Sequence, residues 1–86
     1  HFWPVPWPVG EVMTREEFIP ATKARVRFWK SKDGRAYAWY VYALPQGRSD
    51  EWINFVQVAD FDFESDAKQL VESINENGGY TIHWSR

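Results

Sequence analysis

Cysteine is absent from this chain and methionine occurs once, at Met13. Without cysteine, neither a disulfide framework nor a thiolate metal site can brace a small core. No run of about 18 apolar residues is present, so no membrane-spanning helix is expected. Nor does a basic segment followed by an apolar run mark a signal peptide. Charge of one sign is also lacking: the formal net charge is -2, which gives no global attraction to a polyanion. These absences fit a cytoplasmic protein, the compartment expected.

Aromatic residues are plentiful instead, making up 19% of 86 residues. A domain of this length buries roughly 60% to 65% of the surface of its unfolded chain, which leaves room for one core. Each buried ring removes roughly 150 to 250 Å² from water, so a few rings fill that core and the rest are available for contact. Charge is uneven along the chain. Lys23, Arg25, Arg27, Lys30, Lys32 and Arg35 make one stretch basic, whereas Asp50, Glu51, Asp60, Asp62, Glu64 and Asp66 make a later one acidic.

The opening HFWPVPWPVG carries three prolines, Trp3 and Trp7, and no acidic or basic side chain other than His1. Proline keeps such a segment out of helices and central strands. His1 is not an ordinary translation start, and Met13 precedes a helix-start signature. Residues 1–12 therefore read as a Pro/Trp-rich arm, native or appended, ahead of a single α+β domain over 13–86. Two placements are open to the arm: an extended flap across the domain, or a ligand segment offered to a partner.

Thr14 with Glu17 three residues later forms a capping-box pattern, predicting a short helix that Pro20 ends. ARVRFWK then alternates Ala24, Val26 and Phe28 against Arg25, Arg27 and Trp29, the period of a strand with one face in the core. Asp33-Gly34 supplies a hairpin turn, and RAYAWYVYAL reads as a central strand with Tyr37, Trp39 and Val41 on one side and Ala38, Tyr40 and Tyr42 on the other. PQGRSD is a loop. WINFVQV predicts a third strand whose ambiguous phase permits a bulge.

The period changes after DFDFES. Ala67, Leu70, Val71 and Ile74 form one apolar stripe, predicting a helix capped by Asp62 or Ser65 and ending near Asn77 at Gly78-Gly79. YTIHW is a final strand with Tyr80, Ile82 and Trp84 on one side. The expected architecture is α+β: a three-stranded antiparallel meander, one main packing helix and a fourth strand returning to an edge.

Enzymatic constellations are thin. Ser85, His83 and Asp60 lack a nucleophile elbow, and Gly78-Gly79 follows a helix, where no orphan amides face a phosphate. Asp60, Asp62, Glu64 and Asp66 alternate like oxygen ligands, but helix capping explains such acids better. A copper site from His1 and His83 would need a processed terminus. The protein is thus expected to be non-enzymatic and to need no cofactor.

Binding is the stronger theme, because tyrosine, tryptophan and arginine are enriched where contacts carry binding energy. The expected partner is another protein or a second copy of the chain. The expected contact residues are Arg25, Arg27, Trp29, Lys30, Trp39 and Tyr42, with Trp3 and Trp7 covering or extending that face. Two alternatives stand beside this. Arg25, Arg27, Trp29, Lys30, Lys32 and Arg35 could contact nucleic acid by pairing phosphates while a ring stacks a base. Trp29, Trp39 and Tyr42 could form a carbohydrate platform, with Asn54 or Gln57 fixing the sugar. The layout of three strands followed by a helix over residues 24–77 loosely resembles the small DNA-binding domains at the front of some phage-type integrases, though no diagnostic motif accompanies it and no residue is carried over.

Overall fold

A computed structural model describes residues 14–85 of the chain. Four antiparallel strands, β1 (Thr14–Lys30), β2 (Tyr37–Pro45), β3 (Val56–Phe61) and β4 (Gly79–Ser85), form one curled sheet in the order β3-β2-β1-β4. Among the described residues a single α-helix, α1 (Glu64–Asn77), packs on one face. The α+β class, the meander of β1 to β3 and the return of β4 to an edge match the sequence pattern.

β1 runs for 17 residues. At roughly 3.3 Å per residue it spans about 56 Å, too long for one partner of ordinary length. It therefore has two. Residues 21–30 pair with β2, from Ala21 opposite Pro45 to Lys30 opposite Tyr37. Residues 14–20 pair with β4, from Thr14 opposite Ser85 to Pro20 opposite Gly79.

This pairing corrects the short helix predicted from Thr14 to Pro20. The same residues that form a capping box also read as a strand, and seven backbone pairs with β4 outweigh a one-turn helix, whose nucleation is costly. Pro20 is tolerated because it stands where β1 changes partner: its carbonyl accepts from Gln46 N at 3.3 Å, while Ala21 N donates to Gly78 O at 2.9 Å. Residues 1–12 lie outside the described residues, so the arm's two alternatives are not placed.

The change of partner coincides with an irregularity in register between Ala21 and Lys23. An extra residue in one strand leaves backbone groups without ladder partners. One of these is satisfied from the helix, since Ala24 N donates to the side-chain oxygen of Asn75 at 2.9 Å. Ala21 and Ala24 are both buried, where small side chains let α1 approach the bend.

The core is compact in residue number: Ala21, Ala24, Val41, Ala43, Ala67 and Ile74 are buried together, with Val26, Trp39, Val58, Ala59, Phe61, Leu70, Val71 and Tyr80 packed against them. The apolar stripe of α1 thus meets the β1–β2 pairs Val26–Val41 and Ala24–Ala43. Burial pushes the Tyr80 phenol above its ordinary range.

The ends of α1 follow backbone chemistry more than side-chain capping. Phe63, not Asp62 or Ser65, occupies the N-cap, and no side chain caps there; Glu64 and Asp66 instead place negative charge in the first turn, near the positive end of the dipole. Gly78 takes φ 70°, and its N–H donates to Ile74 O. Gly79 answers a different demand. A Cβ there would lie 2.3 Å from Ile19 O and 2.6 Å from Phe18 Cζ, so β1 and its Phe18 ring can approach only a residue without a side chain.

Candidate functional site

Antiparallel pairing decides which side chains share a face, because residues directly opposite project the same way. Phe28 is opposite Trp39, Val26 opposite Val41 and Ala24 opposite Ala43; this is the face under α1. Arg25 is opposite Tyr42, Arg27 opposite Tyr40 and Trp29 opposite Ala38; among the described residues, no helix lies on this face.

Trp39 is therefore not part of the same surface as Trp29 and Tyr42. It packs against the core, its ring 4.5 Å from Phe28. The proposed carbohydrate platform of Trp29, Trp39 and Tyr42 is split by the sheet. Lys30, two residues beyond Phe28 and opposite Tyr37, likewise projects away from Arg25 and Arg27. Lys32 and Arg35 lie in the β1–β2 turn, where Arg35 is 3.9 Å from Asp33. The Asp33 carboxyl is held below its ordinary range by the Ser31 hydroxyl and the Arg35 amide. Trp3 and Trp7 fall outside the described residues.

What remains on the helix-free face is a graded arrangement of rings and guanidinium groups. Tyr40 and Tyr42 sit 6.4 Å apart, Tyr42 meets Trp52 edge-on at 4.7 Å, and Trp52 stacks on Phe55 at 5.4 Å. Arg27 lies 4.9 Å from the centre of the Trp52 ring and Arg25 lies 5.4 Å from that of Phe55. Such contacts hold a flexible cation in place while leaving its hydrogen-bond donors available. Among the described residues, neither arginine has a carboxylate within ion-pair distance. A shallow depression of about 230 Å³ lined by Arg27, Phe28, Trp29, Tyr40 and Tyr42 adjoins the cluster.

Trp52 and Phe55 reach this face because the predicted third strand starts late. Residues Trp52–Asn54 form a single 3-10 turn, and β3 begins only at Val56. The signal was in the residues before it. The Ser49 hydroxyl donates to Glu51 at 2.8 Å, and the Asn54 amide donates to Ser49 O at 2.9 Å and to Ser49 Oγ at 3.0 Å. Local side-chain bonds of this kind compete with a ladder. The Asn54 amide thus positions the loop.

Lys23 anchors the same loop through an ion pair with Asp50, which holds the Asp50 carboxyl below its ordinary range, mainly through the hydrogen bond from Lys23. The 45–55 loop is folded over part of the helix-free face. Leu44, which shares that side of β2 with Tyr42, is 1% exposed. Part of the aromatic face is accordingly covered by the chain's own loop, a role the sequence pattern assigned to the N-terminal arm or to a second subunit.

The loop leaves Ile53 87% exposed and Trp52 44% exposed, and across the face Trp29 is exposed as well. Ile53 was not among the predicted contact residues, since the strand pattern put it in a ladder; Val56 does pair there, opposite Ala43 on the α1 side. The four alternating acids separate as well: Asp60 lies in β3, Asp62 in the connection, and Glu64 and Asp66 in the first turn of α1.

No family profile matches the chain. Neither curated proteins nor solved structures provide a match. Among the described residues, no helix is long and apolar enough to cross a membrane.

Proposed function

We propose that this domain is a non-enzymatic protein-binding module whose contact surface is the helix-free face of the sheet, built from Arg25, Arg27, Trp29, Tyr40, Tyr42, Trp52 and Ile53. The observation that carries this reading is the pairing of two arginines with two rings, Arg27 on Trp52 and Arg25 on Phe55, on a face where Trp29 is also exposed and beside a loop that leaves Ile53 exposed. Rigid rings contribute area at small entropic cost, and pre-positioned guanidinium groups fit carboxylates on a partner. The partner chemistry that fits is a protein segment with apolar side chains flanked by acidic ones.

The nucleic-acid reading is supported by the same two arginines. It draws less support from the remaining cations, because Lys30 projects from the other face and Lys32 and Arg35 sit in the turn.

A displayed peptide library separates these readings. Selection on the domain should enrich segments combining apolar and acidic residues, and their affinity should fall at least about tenfold on replacing Trp52 with alanine or Arg27 with glutamine, the loss expected when a central anchor is removed. A domain that enriches no peptide yet binds oligonucleotides with affinity falling steeply as salt rises would instead favour polyanion binding.

A further inference from the structure

Among the described residues the sheet has two outer edges, β3 and β4, and their chemistry differs. β3 is irregular, since its register with β2 slips between Val41–Ala59 and Tyr42–Gln57, leaving Val58 extra, and it carries Asp60. A bulge and a charge are two of the devices by which natural edge strands avoid pairing with another chain. β4 has neither. Its seven residues, GYTIHWS, pair with β1 in unbroken register and include no proline, lysine, arginine or carboxylate.

β4 is also isolated from support. Residues 14–20 of β1 are paired only with β4 among the described residues, so this part of the sheet is a two-stranded ribbon. Two strands alone are marginal in water. The order of side chains in β4 is close to symmetric about Ile82. In antiparallel pairing of β4 with the β4 of a second copy, Ile82 faces its counterpart, Tyr80 faces Trp84, Thr81 faces His83 and Gly79 faces Ser85. Every residue is paired, rings meet rings on one face, and no like charges are opposed. A register two residues further along would set His83 against itself and leave Gly79 and Tyr80 unpaired.

We infer that β4 is the interface of a homodimer, in which two copies join edge to edge through antiparallel β4 strands into one continuous eight-stranded sheet. The two-fold axis passes beside Ile82, as an isologous contact requires. The arrangement sets Trp84, 42% exposed in the single chain, opposite Tyr80 of the second copy. There it stands beside a groove of about 200 Å³ between α1 and β4, lined by Phe18, Leu70, Ile74 and Tyr80 among others. This surface is separate from the proposed protein-binding face and does not depend on it.

Light scattering on the eluting full chain tests the inference, together with two paired substitutions at the exposed Thr81 and His83. The unaltered chain should have twice its 10.2 kDa mass. Thr81→Lys with His83→Lys opposes lysine to lysine across the interface while leaving a hydrogen-bond donor beside Glu16, which is 3.4 Å from His83; this variant should be a folded monomer. Thr81→Glu with His83→Lys opposes unlike charges and should restore the dimer. A monomeric parent at its highest soluble concentration, or a dimeric Lys/Lys variant, would overturn the inference. Because a doubly substituted edge can fail to fold, a half-labelled sample of the unaltered chain provides the second measurement: an intermolecular nuclear Overhauser effect between Tyr80 and Trp84 is expected, and its absence in a sample of dimer mass would refute this interface.

Discussion

The two halves of β1 are one continuous strand with the same kind of antiparallel partner, yet they are held by different means. From Ala21 to Lys30 the strand lies within a three-stranded sheet backed by α1, with Ala21 and Ala24 buried and Val26 packed against the core. Between Arg15 and Pro20, no side chain is buried and only Ile19 is half-buried. Backbone pairing is comparable in the two halves; coverage by the helix is not. Strand stability in this protein therefore follows apolar burial, and amide exchange should be slower in residues 24–28 than in residues 15–19.

Removing the core contact should abolish both halves together. Ile74, 1% exposed on α1, when replaced by alanine, should cost about 2 to 5 kcal/mol. Chemical denaturation would measure this loss, and a parent-like midpoint would show that α1 does not set the stability of the sheet.

A more selective break lies at Gly79. Gly79→Ala forces a Cβ against Ile19 O and Phe18, so a cost of about 1 to 3 kcal/mol is expected. Hydrogen exchange should accelerate in residues 15–19 before residues 24–28 respond. Equal acceleration in both would mean that the ribbon and the body open as one unit.

Trp84→Ala sharpens the comparison at the far end of the ribbon. The Arg15 guanidinium lies 4.9 Å from the centre of the Trp84 ring, an exposed contact expected to contribute about 0.5 to 1 kcal/mol. Thermal unfolding of the Thr81→Lys, His83→Lys background would isolate this contact from association, with Arg15→Ala completing a double-mutant cycle. A coupling of zero would show that the Arg15–Trp84 contact does not stabilise the ribbon.

The smallest expected effect is electrostatic and belongs to the body. The Lys23 ammonium donates to Asp50 and lowers the folded-state pKa of its carboxyl. The corresponding stabilisation is present above the unfolded carboxylate range and is lost as pH falls through the depressed folded value. Lys23→Met should return the Asp50 titration, followed by carboxyl NMR, to the ordinary range and remove that part of the acid dependence. An unmoved titration would show that the loop is not anchored by Lys23.

Much of the fold was readable because its signals are periodic and local. Alternation across Ala24 to Trp29, the Asp33-Gly34 turn, the Ala67–Ile74 stripe and the glycine at position 78 each reflect a constraint within one element. Thr14–Pro20 misled because a capping box and a strand use compatible residues, and the choice was made by β4, distant in the chain, whose Gly79 pairs with Pro20 and Ser85 with Thr14. The candidate site was legible in part. Arg25, Arg27 and Trp29 share a face of β1 by simple alternation, and alternation along β2 already separates Trp39 from Tyr42, whereas only the register between the strands puts Tyr42 with the arginines and Trp39 with Phe28.

Composition and periodicity by themselves determined that this chain builds one small α+β core from aromatic and aliphatic residues, with no help from disulfides. They also determined which β1 side chains alternate across the sheet, because that follows from the geometry of a single strand. Only the tertiary structure decided what those faces meet. Cross-strand register set Trp39 opposite Phe28 and Tyr42 opposite Arg25, the bend near Ala21 divided β1 between two partners, and the loop stabilised by Ser49 and Asn54 brought Trp52 onto Arg27. These outcomes depend on contacts between residues distant in the chain, whose free energies outweigh the small local preferences of the residues involved.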